Sequence, residues 1–265
     1  MRLLFLSSFI LLSQIGYAQI LNVERSRKNE QDTSRRWLGR IDLNFLLHNR
    51  SATAENPIKY TSLSSSADVA YLGKTNRYML LNQITYGAVT GNAFIRTGYS
   101  HLRANWWWRN RFSAESFAQL QYDLGRGLQS RELIGSGGRF ILSDTEHARI
   151  ALGIGVMYEY ERWKQPNSEP ELVVEKSLIK ASNYASIAWT ISPQASFNGI
   201  VYYQTGPDSK ANLWRNRLSL DTNLSFNFTE RLVFLTTFAA AYDAQPIIPI
   251  PEWTYSLLNG FRFTF

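Results

Sequence analysis

From Trp37 onward, apolar and polar residues alternate one by one in segments of about ten residues, the spacing expected of membrane-barrel strands. Side chains in a strand point alternately to two faces, so such a segment has one apolar and one polar face. Leu218, Leu220, Thr222, Leu224 and Phe226 share one face; Arg217, Ser219, Asp221, Asn223, Ser225 and Asn227 share the other. Ile150, Leu152, Ile154, Val156, Tyr158 and Tyr160 likewise oppose Arg149, Gly153, Gly155, Glu159 and Glu161. Phe112, Ala114, Ala118, Leu120 and Tyr122 oppose Ser113, Glu115, Gln119, Gln121 and Asp123. No segment of comparable length follows a helical period. Alternating segments begin near Leu38, Ser62, Arg77, Tyr99, Phe112, Arg131, Ala148, Leu178, Ala195, Leu213, Leu232 and Trp253, each bounded by Gly, Asn, Asp, Ser or Pro. The pattern predicts an all-β fold over residues 37–265: a transmembrane antiparallel up-and-down β-barrel of about twelve strands.

Alternation alone leaves open which face is outside, because a soluble lipocalin-like barrel or a sandwich alternates too. Three features favour the apolar face outside. The expected connections alternate in length. Gly73–Asn76, Arg109–Asn110, Asp144–Glu146, Ser192–Gln194 and Thr229–Glu230 are short; Asn49–Tyr60, Val89–Gly98, Leu124–Gln129, Trp163–Lys176, Gly206–Ala211 and Gln245–Glu252 are longer. Outer-membrane barrels have short periplasmic turns and long external loops. All eight Trp (37, 106, 107, 108, 163, 189, 214 and 253) lie near expected strand ends, where amphipathic rings favour the headgroup region. The last segment sets Trp253, Tyr255, Leu257, Phe261, Phe263 and Phe265 on one face. An unpaired edge in hydrocarbon costs several kcal/mol per polar group, so the first segment is expected to pair with the last.

The N-terminus carries Arg2, an apolar run over Leu3 to Leu12 and the small-residue end Gly16-Tyr17-Ala18. That order predicts a secretory signal over 1–18, cleaved between Ala18 and Gln19, with an uncleaved anchor as the alternative. Residues 19–36 are polar and charged and read as a periplasmic lead-in. The chain has no cysteine, which excludes disulfide stapling, lipid anchoring through a terminal cysteine and thiolate zinc sites. Aromatic residues reach 14% while mean hydropathy is only −0.25, a combination suited to strands greasy on every second residue. The formal charge of +7 rests partly on Arg2 and on Arg25, Arg27, Lys28, Arg35 and Arg36 of the lead-in. No basic cluster interleaves with aromatics, so nucleic acid is not an expected partner. The expected partners are outer-membrane lipid and the barrel-assembly machinery, the latter through the aromatic strand ending at Phe265; the solute is not specified.

The stretch FSAESFAQLQYDLGRGLQSRELIGSGGRFIL from Phe112, followed by ALGIGVMYEYERW from Ala151, resembles the domain-of-unknown-function family that includes the salt-induced outer-membrane proteins. The matching elements are Glu115, Phe117, Gln119 and Gln121, Gly127-Leu128, Arg131, Gly135, Gly138-Arg139, Gly153, Gly155, Tyr158-Glu159 and Trp163. The resemblance extends from about Leu102 to Trp163. Glu132 and the Ser136-Gly137-Gly138 run depart from the family pattern, and no residue role is carried over. The resemblance implies an outer-membrane barrel with no established activity.

The expected lumen carries Arg103, Arg139, Arg149, Lys180, Arg215 and Arg217 alongside Glu115, Asp123, Glu159, Glu161 and Asp221. Two readings stand: a charged constriction that selects solutes, or a network in which opposite charges pair because a buried charge must be compensated. Gly135, Gly137, Gly153 and Gly155 fall on inward positions, leaving room for long neighbours or marking strand bends. Of the three histidines, His48 and His147 lie at connections, and His101 follows Ser100, which points to the opposite face. No catalytic constellation, metal-ligand spacing or phosphate-cradling loop before a helix is visible; neither catalysis nor a cofactor is expected. The functional expectation is a narrow channel or envelope-stress component for small polar solutes. The alternatives are a non-conducting structural or adhesion barrel and, third, a lipid-active enzyme. The PIIPIP run at Pro246–Pro251 reads as a stiff external loop whose aliphatic side chains are available to a partner.

Overall fold

The computed structural model describes residues 36–49, 58–165, 172–229 and 231–263. The expected signal with its Ala18/Gln19 junction, most of the lead-in and Phe265 lie outside the described residues. The strands are β1 (Trp37–Asn49), β2 (Lys59–Leu72), β3 (Asn76–Val89), β4 (Asn92–Trp106), β5 (Phe112–Asp123) and β6 (Leu128–Asp144). They continue with β7 (Ala148–Lys164), β8 (Val173–Thr190), β9 (Ala195–Asp208), β10 (Leu213–Asn227), β11 (Leu232–Asp243) and β12 (Trp253–Phe263). They form one twelve-stranded sheet in sequence order, and each adjacent pair is antiparallel. This is the up-and-down architecture that the alternation predicts. Among the described residues no register pairs β1 with β12.

The sheet is curved. Tyr184 on β8 donates its hydroxyl to Glu115 Oε2 on β5 at 2.7 Å. Arg131 on β6 donates to Gln204 Oε1 on β9 at 3.2 Å. In each case the partners lie three strands apart, about 14 Å in a flat sheet with strands about 4.8 Å apart. Side chains meet over that distance only on a concave face. Register then assigns the two faces. His101↔Gln119↔Leu133↔Glu159 and Arg103↔Phe117↔Gly135↔Met157 run across the concave face; Leu102↔Ala118↔Ile134↔Tyr158 runs across the convex one.

The burial of the two faces is the reverse of that in a water-soluble sheet. Arg77, His101, Arg103, Glu115, Arg139, Glu159, Glu161 and Lys180 are buried on the concave face. Ile41 is 80% exposed and Leu43, Phe45, Leu47, Ile134, Ile154, Ile179, Tyr255 and Phe261 are exposed on the convex one. The concave face is not purely polar: Met79 and Leu81 pack with Ala70 and Tyr99, and Leu133, Met157 and Ile200 are buried among the charges.

The connections differ from expectation at three places. Val89–Gly98 is no long loop. β3 and β4 run on to a two-residue turn at Thr90 (φ 50°) and Gly91 (φ 83°), the positive-φ pair that suits the right-handed twist of a hairpin. A register shift at Gly87/Ala88 absorbs the extra residue of β4. Conversely, Arg109–Asn110 is not a tight turn: residues 107–111 connect β4 to β5, with Trp107 at φ 55°. The expected loop at Leu124–Gln129 is a single 3-10 turn over Leu124–Arg126, its N–H at Arg126 received by the Asp123 carboxylate at 3.4 Å. Gly127 follows at φ 90°, and a Cβ there would lie 2.3 Å from Lys164 O. Only glycine fits that turn.

Candidate functional site

The strongest chemistry lies on the concave face of β6–β11. Glu159 is ion-paired with Arg131 at 2.5 Å, with Arg217 at 3.2 Å and, more closely still, with the Lys180 ammonium. Glu161 is ion-paired with Arg131 and accepts from Arg217, both at 2.9 Å, and Arg217 also holds Asp243 at 2.7 Å. Three cations thus meet three carboxylates, and the cluster is neutral. Parity explains the assembly: Arg131 stands opposite Glu161 in register, Glu159 opposite Leu178 and Arg217 opposite Asp243. Each charge is carried inward by an alternating strand, where removal from water is tolerable only when it is paired and hydrogen-bonded. Beside it, Asp208 receives Lys176 at 2.9 Å and Arg215 at 2.8 Å.

A second group lies further along the same face. Glu115 takes hydrogen bonds from Asn105 Nδ2 and from the Tyr184 hydroxyl and faces Arg103 at 3.6 Å. The Arg103 guanidinium stands over the rings of Phe117 at 5.9 Å and Tyr184 at 5.7 Å. The inward glycines make this packing feasible. A Cβ on Gly135 would meet Phe117 Cζ at 2.5 Å, and one on Gly153 would meet Tyr184 Cε1 at 2.0 Å. The expected room for long neighbours is what these two glycines provide.

Of the expected inner charges, the structure gathers Glu159 and Arg217 in the first group, with Glu161 and Lys180, and Arg103 with Glu115 in the second. Arg139 is buried on the same face, opposite Ser113 and Gly153 in register. Asp123 stands at the end of β5, capping the 3-10 turn. Asp221 is buried and accepts from Asn223 at 3.1 Å. Arg149 is the exception: it pairs with Asp144 at 2.8 Å at the β6–β7 turn, the two side chains 41% and 47% exposed. Arg149 is the second residue of β7, and a register shift at Ile141/Ser143 of β6 sets Asp144 opposite it at the turn. Arg131, Asp243, Lys176 and Asp208 are inner charges beyond those expected, although Arg131 has the parity of Arg139 and Asp243 that of Ala241 and Ala239. Serine and histidine at 100 and 101 face opposite sides, as the alternation requires.

The end of the concave face at the β5–β6 and β11–β12 connections is covered by the proline-rich loop. Ile248 is 3% exposed and packs against Leu128 and Trp163, with Val174, Ile247 and Ile250 around it. Arg215 donates to Gln245 O and Arg126 to Pro251 O, gripping the loop at both ends. The proline-rich loop therefore turns its aliphatic side chains inward, correcting the expectation that they are available to a partner. Proline stiffens such a loop and the apolar socket gives it a place to settle. Trp163 departs from the expected belt for the same reason: it is 5% exposed, on the inner face, and donates its indole N–H to Glu161 Oε2 at 3.0 Å. Trp108 also has inward duties, donating to Gly73 O at 3.2 Å beneath Arg77 and Arg109. Trp37, Trp189, Trp214 and Trp253 are exposed at strand ends as expected. Below the loop, a cavity of about 260 Å³ extends between Arg131, Glu161, Arg217 and Asp243.

No curated protein matches the chain. Among solved structures the chain is similar to a NanC porin, with a TM-score of 0.43 and 8% identity, covering 77% of this chain and 94% of that one. Residues 59–247 match the family model described as "Protein of unknown function, DUF481". That match spans well over half of the sequence, and the protein belongs to this family, to which no function is assigned.

Proposed function

We propose that the chain is an integral outer-membrane β-barrel whose narrow, charge-lined interior passes small polar solutes. The observation that carries this reading is the reversed burial of the faces: apolar side chains outward and exposed, charges inward and buried. In water, exposing Ile41, Leu43, Phe45 and Leu47 side by side along one strand would forfeit about 1.5–3 kcal/mol for each side chain left unburied. In a bilayer the same surface is matched by lipid. The reading includes closure of β1 on β12, because two open edges in hydrocarbon are prohibitively costly. It also includes export through the signal at 1–18 and assembly through the aromatic outer face of β12.

Two observations support a conduit rather than a solid plug. The inner wall is asymmetric: β2 turns short side chains inward at Ser62, Ser64 and Ser66, and β11 and β12 do so at Ala239, Ala241 and Ser256, facing the long ion-paired groups of β6–β10. The mouth cavity reaches down to that ion-paired cluster. A non-conducting structural barrel is the second reading, favoured by the inward-packed Ile248 loop. Planar-bilayer recording of the purified protein separates them. Discrete channel events are the expected result; their absence at several hundred millivolts removes the conduit. Because the chain has no cysteine, pairwise cysteines across β1 and β12 test closure, with disulfide formation at a consistent register expected.

A further inference from the structure

A cavity of about 70 Å³ lies within the curve of the sheet between the two charged groups, lined by His101, Arg103, Glu115, Phe117, Tyr184 and Tyr202, with bare main chain at Gly137 and Gly155. A hydrogen-bond chain determines what His101 offers to it. Gln121 Oε1 receives Arg131 Nη1 at 3.4 Å and Gln119 Nε2 at 3.0 Å. With its amide nitrogen so committed, Gln119 turns its oxygen to His101 Nδ1 at 2.9 Å. Nδ1 therefore carries the proton, and in the neutral ring Nε2 is a lone-pair acceptor. His101 is 2% exposed, and Nε2 has no partner within the protein. Arg103, two residues along the same face, has its Nε–H in the same condition, the rest of its guanidinium being engaged by Glu115, by Tyr202 and by the rings of Phe117 and Tyr184. Unsatisfied buried polar atoms are costly and call for an explanation.

The cavity thus presents one unused acceptor and one unused donor beside aromatic faces. Its charges are compensated, Arg103 by Glu115 and Arg131 by Glu159 and Glu161, so neither an anion nor a cation is favoured. A hydroxyl is the group that both donates and accepts, and neighbouring hydroxyls on a short carbon chain can satisfy both atoms while their C–H faces pack on Phe117 and Tyr184. By the same measure of volume one water needs about 10–15 Å³, so the space suits a few waters or one molecule of glycerol size, not an oligosaccharide.

We propose that this cavity is a binding station for a small uncharged polyol, which donates a hydroxyl to His101 Nε2 and accepts from Arg103 Nε. The proposal rests on the conduit reading and names its solute class. The test uses ¹⁵N-imidazole-labelled full-length protein in lipid nanodiscs, titrated with glycerol, acetate or tetramethylammonium, alongside glycerol-driven swelling of proteoliposomes. The expected result is a saturable glycerol shift of the His101 Nε2 resonance, with those of His48 and His147 unmoved and with no response to the two ions. His101→Phe keeps a ring in place and removes the acceptor; about tenfold weaker glycerol uptake is expected, the worth of one good hydrogen bond. A His101 resonance indifferent to glycerol, or one that moves equally with acetate, overturns the site even if the protein conducts. Saturable binding without swelling upholds the site and overturns the conduit.

Discussion

Replacing Glu159 by Gln keeps the shape of the side chain and deletes the charge on which Arg131, Lys180 and Arg217 converge. Breaking a buried pair by removing one partner costs about 3–5 kcal/mol, because the other charge is left uncompensated. Here the loss is unevenly spread. Arg131 retains Glu161 at 2.9 Å, and Arg217 retains Glu161 at 2.9 Å and Asp243 at 2.7 Å. Lys180, only 3% exposed, loses the carboxylate it is paired with and keeps only the more distant pull of Glu161. The expected cost is therefore at the lower end, about 3 kcal/mol, or about a hundredfold in the folded-to-unfolded ratio. Glu159→Gln with Lys180→Met removes both ends of the pair, and replacing a buried ion pair by apolar groups of similar volume is often close to neutral. The double variant should come within about 1 kcal/mol of the parent. Urea unfolding in lipid vesicles, followed by tryptophan fluorescence and extrapolated to water, measures all three. Arg149→Gln, at the exposed pair with Asp144, is the control and should cost at most about 1 kcal/mol. A Glu159→Gln penalty no larger than that control, or a double variant whose cost equals the sum of its singles, would refute the argument that these charges are held by mutual compensation. The same Glu159→Gln substitution leaves the cluster with one net positive charge, so a conducting lumen should shift its reversal potential toward anion preference.

Ile248→Ala empties the socket at Leu128 and Trp163; faster hydrogen exchange in the Gln245–Glu252 loop and larger or more frequent bilayer currents are expected, and unchanged exchange would mean the loop is held by Arg126 and Arg215 alone. Gly153→Ala puts a methyl group where the Tyr184 ring lies, so Tyr184 must leave Glu115. A loss of stability of about 1–3 kcal/mol, typical of overpacking, should appear in urea unfolding and be relieved by Tyr184→Ser; a neutral single variant would count against the packing described. Gly91→Ala meets no atom within 4 Å but requires φ +83°, so a penalty of about 1 kcal/mol from the backbone alone is expected. A zero effect there would argue against the two-residue turn.

Alternation specifies which residues share a face, and for long strands it sufficed: β7 and β10 turn inward the residues that parity assigns to the polar side. It does not specify register. That Arg131 meets Glu161, and that Arg217 reaches both Glu159 and Asp243, depends on how each strand slides against the next and on the curvature that brings β7 near β10. Neither is written in any one segment. Where the structure departs from expectation, local geometry outweighs period. Arg149 has inward parity but lies at the turn, where a register shift in β6 sets Asp144 opposite it, and Trp163 has the parity of Glu161, a signal that nearness to a strand end obscures. Tyr184 and Tyr202 sit inward although bulky aromatic residues suggest the lipid face; the space for Tyr184 is made by Gly153 on the neighbouring strand. The proline-rich loop has no period at all. Ile248 finds its place from the socket that Leu128 and Trp163 form, residues more than eighty positions away in the chain. The charges of the inner face are thus foreseeable as a set, but their pairing is a property of the assembled sheet. Single-residue intuition about a lumen charge can therefore mislead: Arg139 and Glu159 look equivalent in sequence, yet only Glu159 stands where three cations converge.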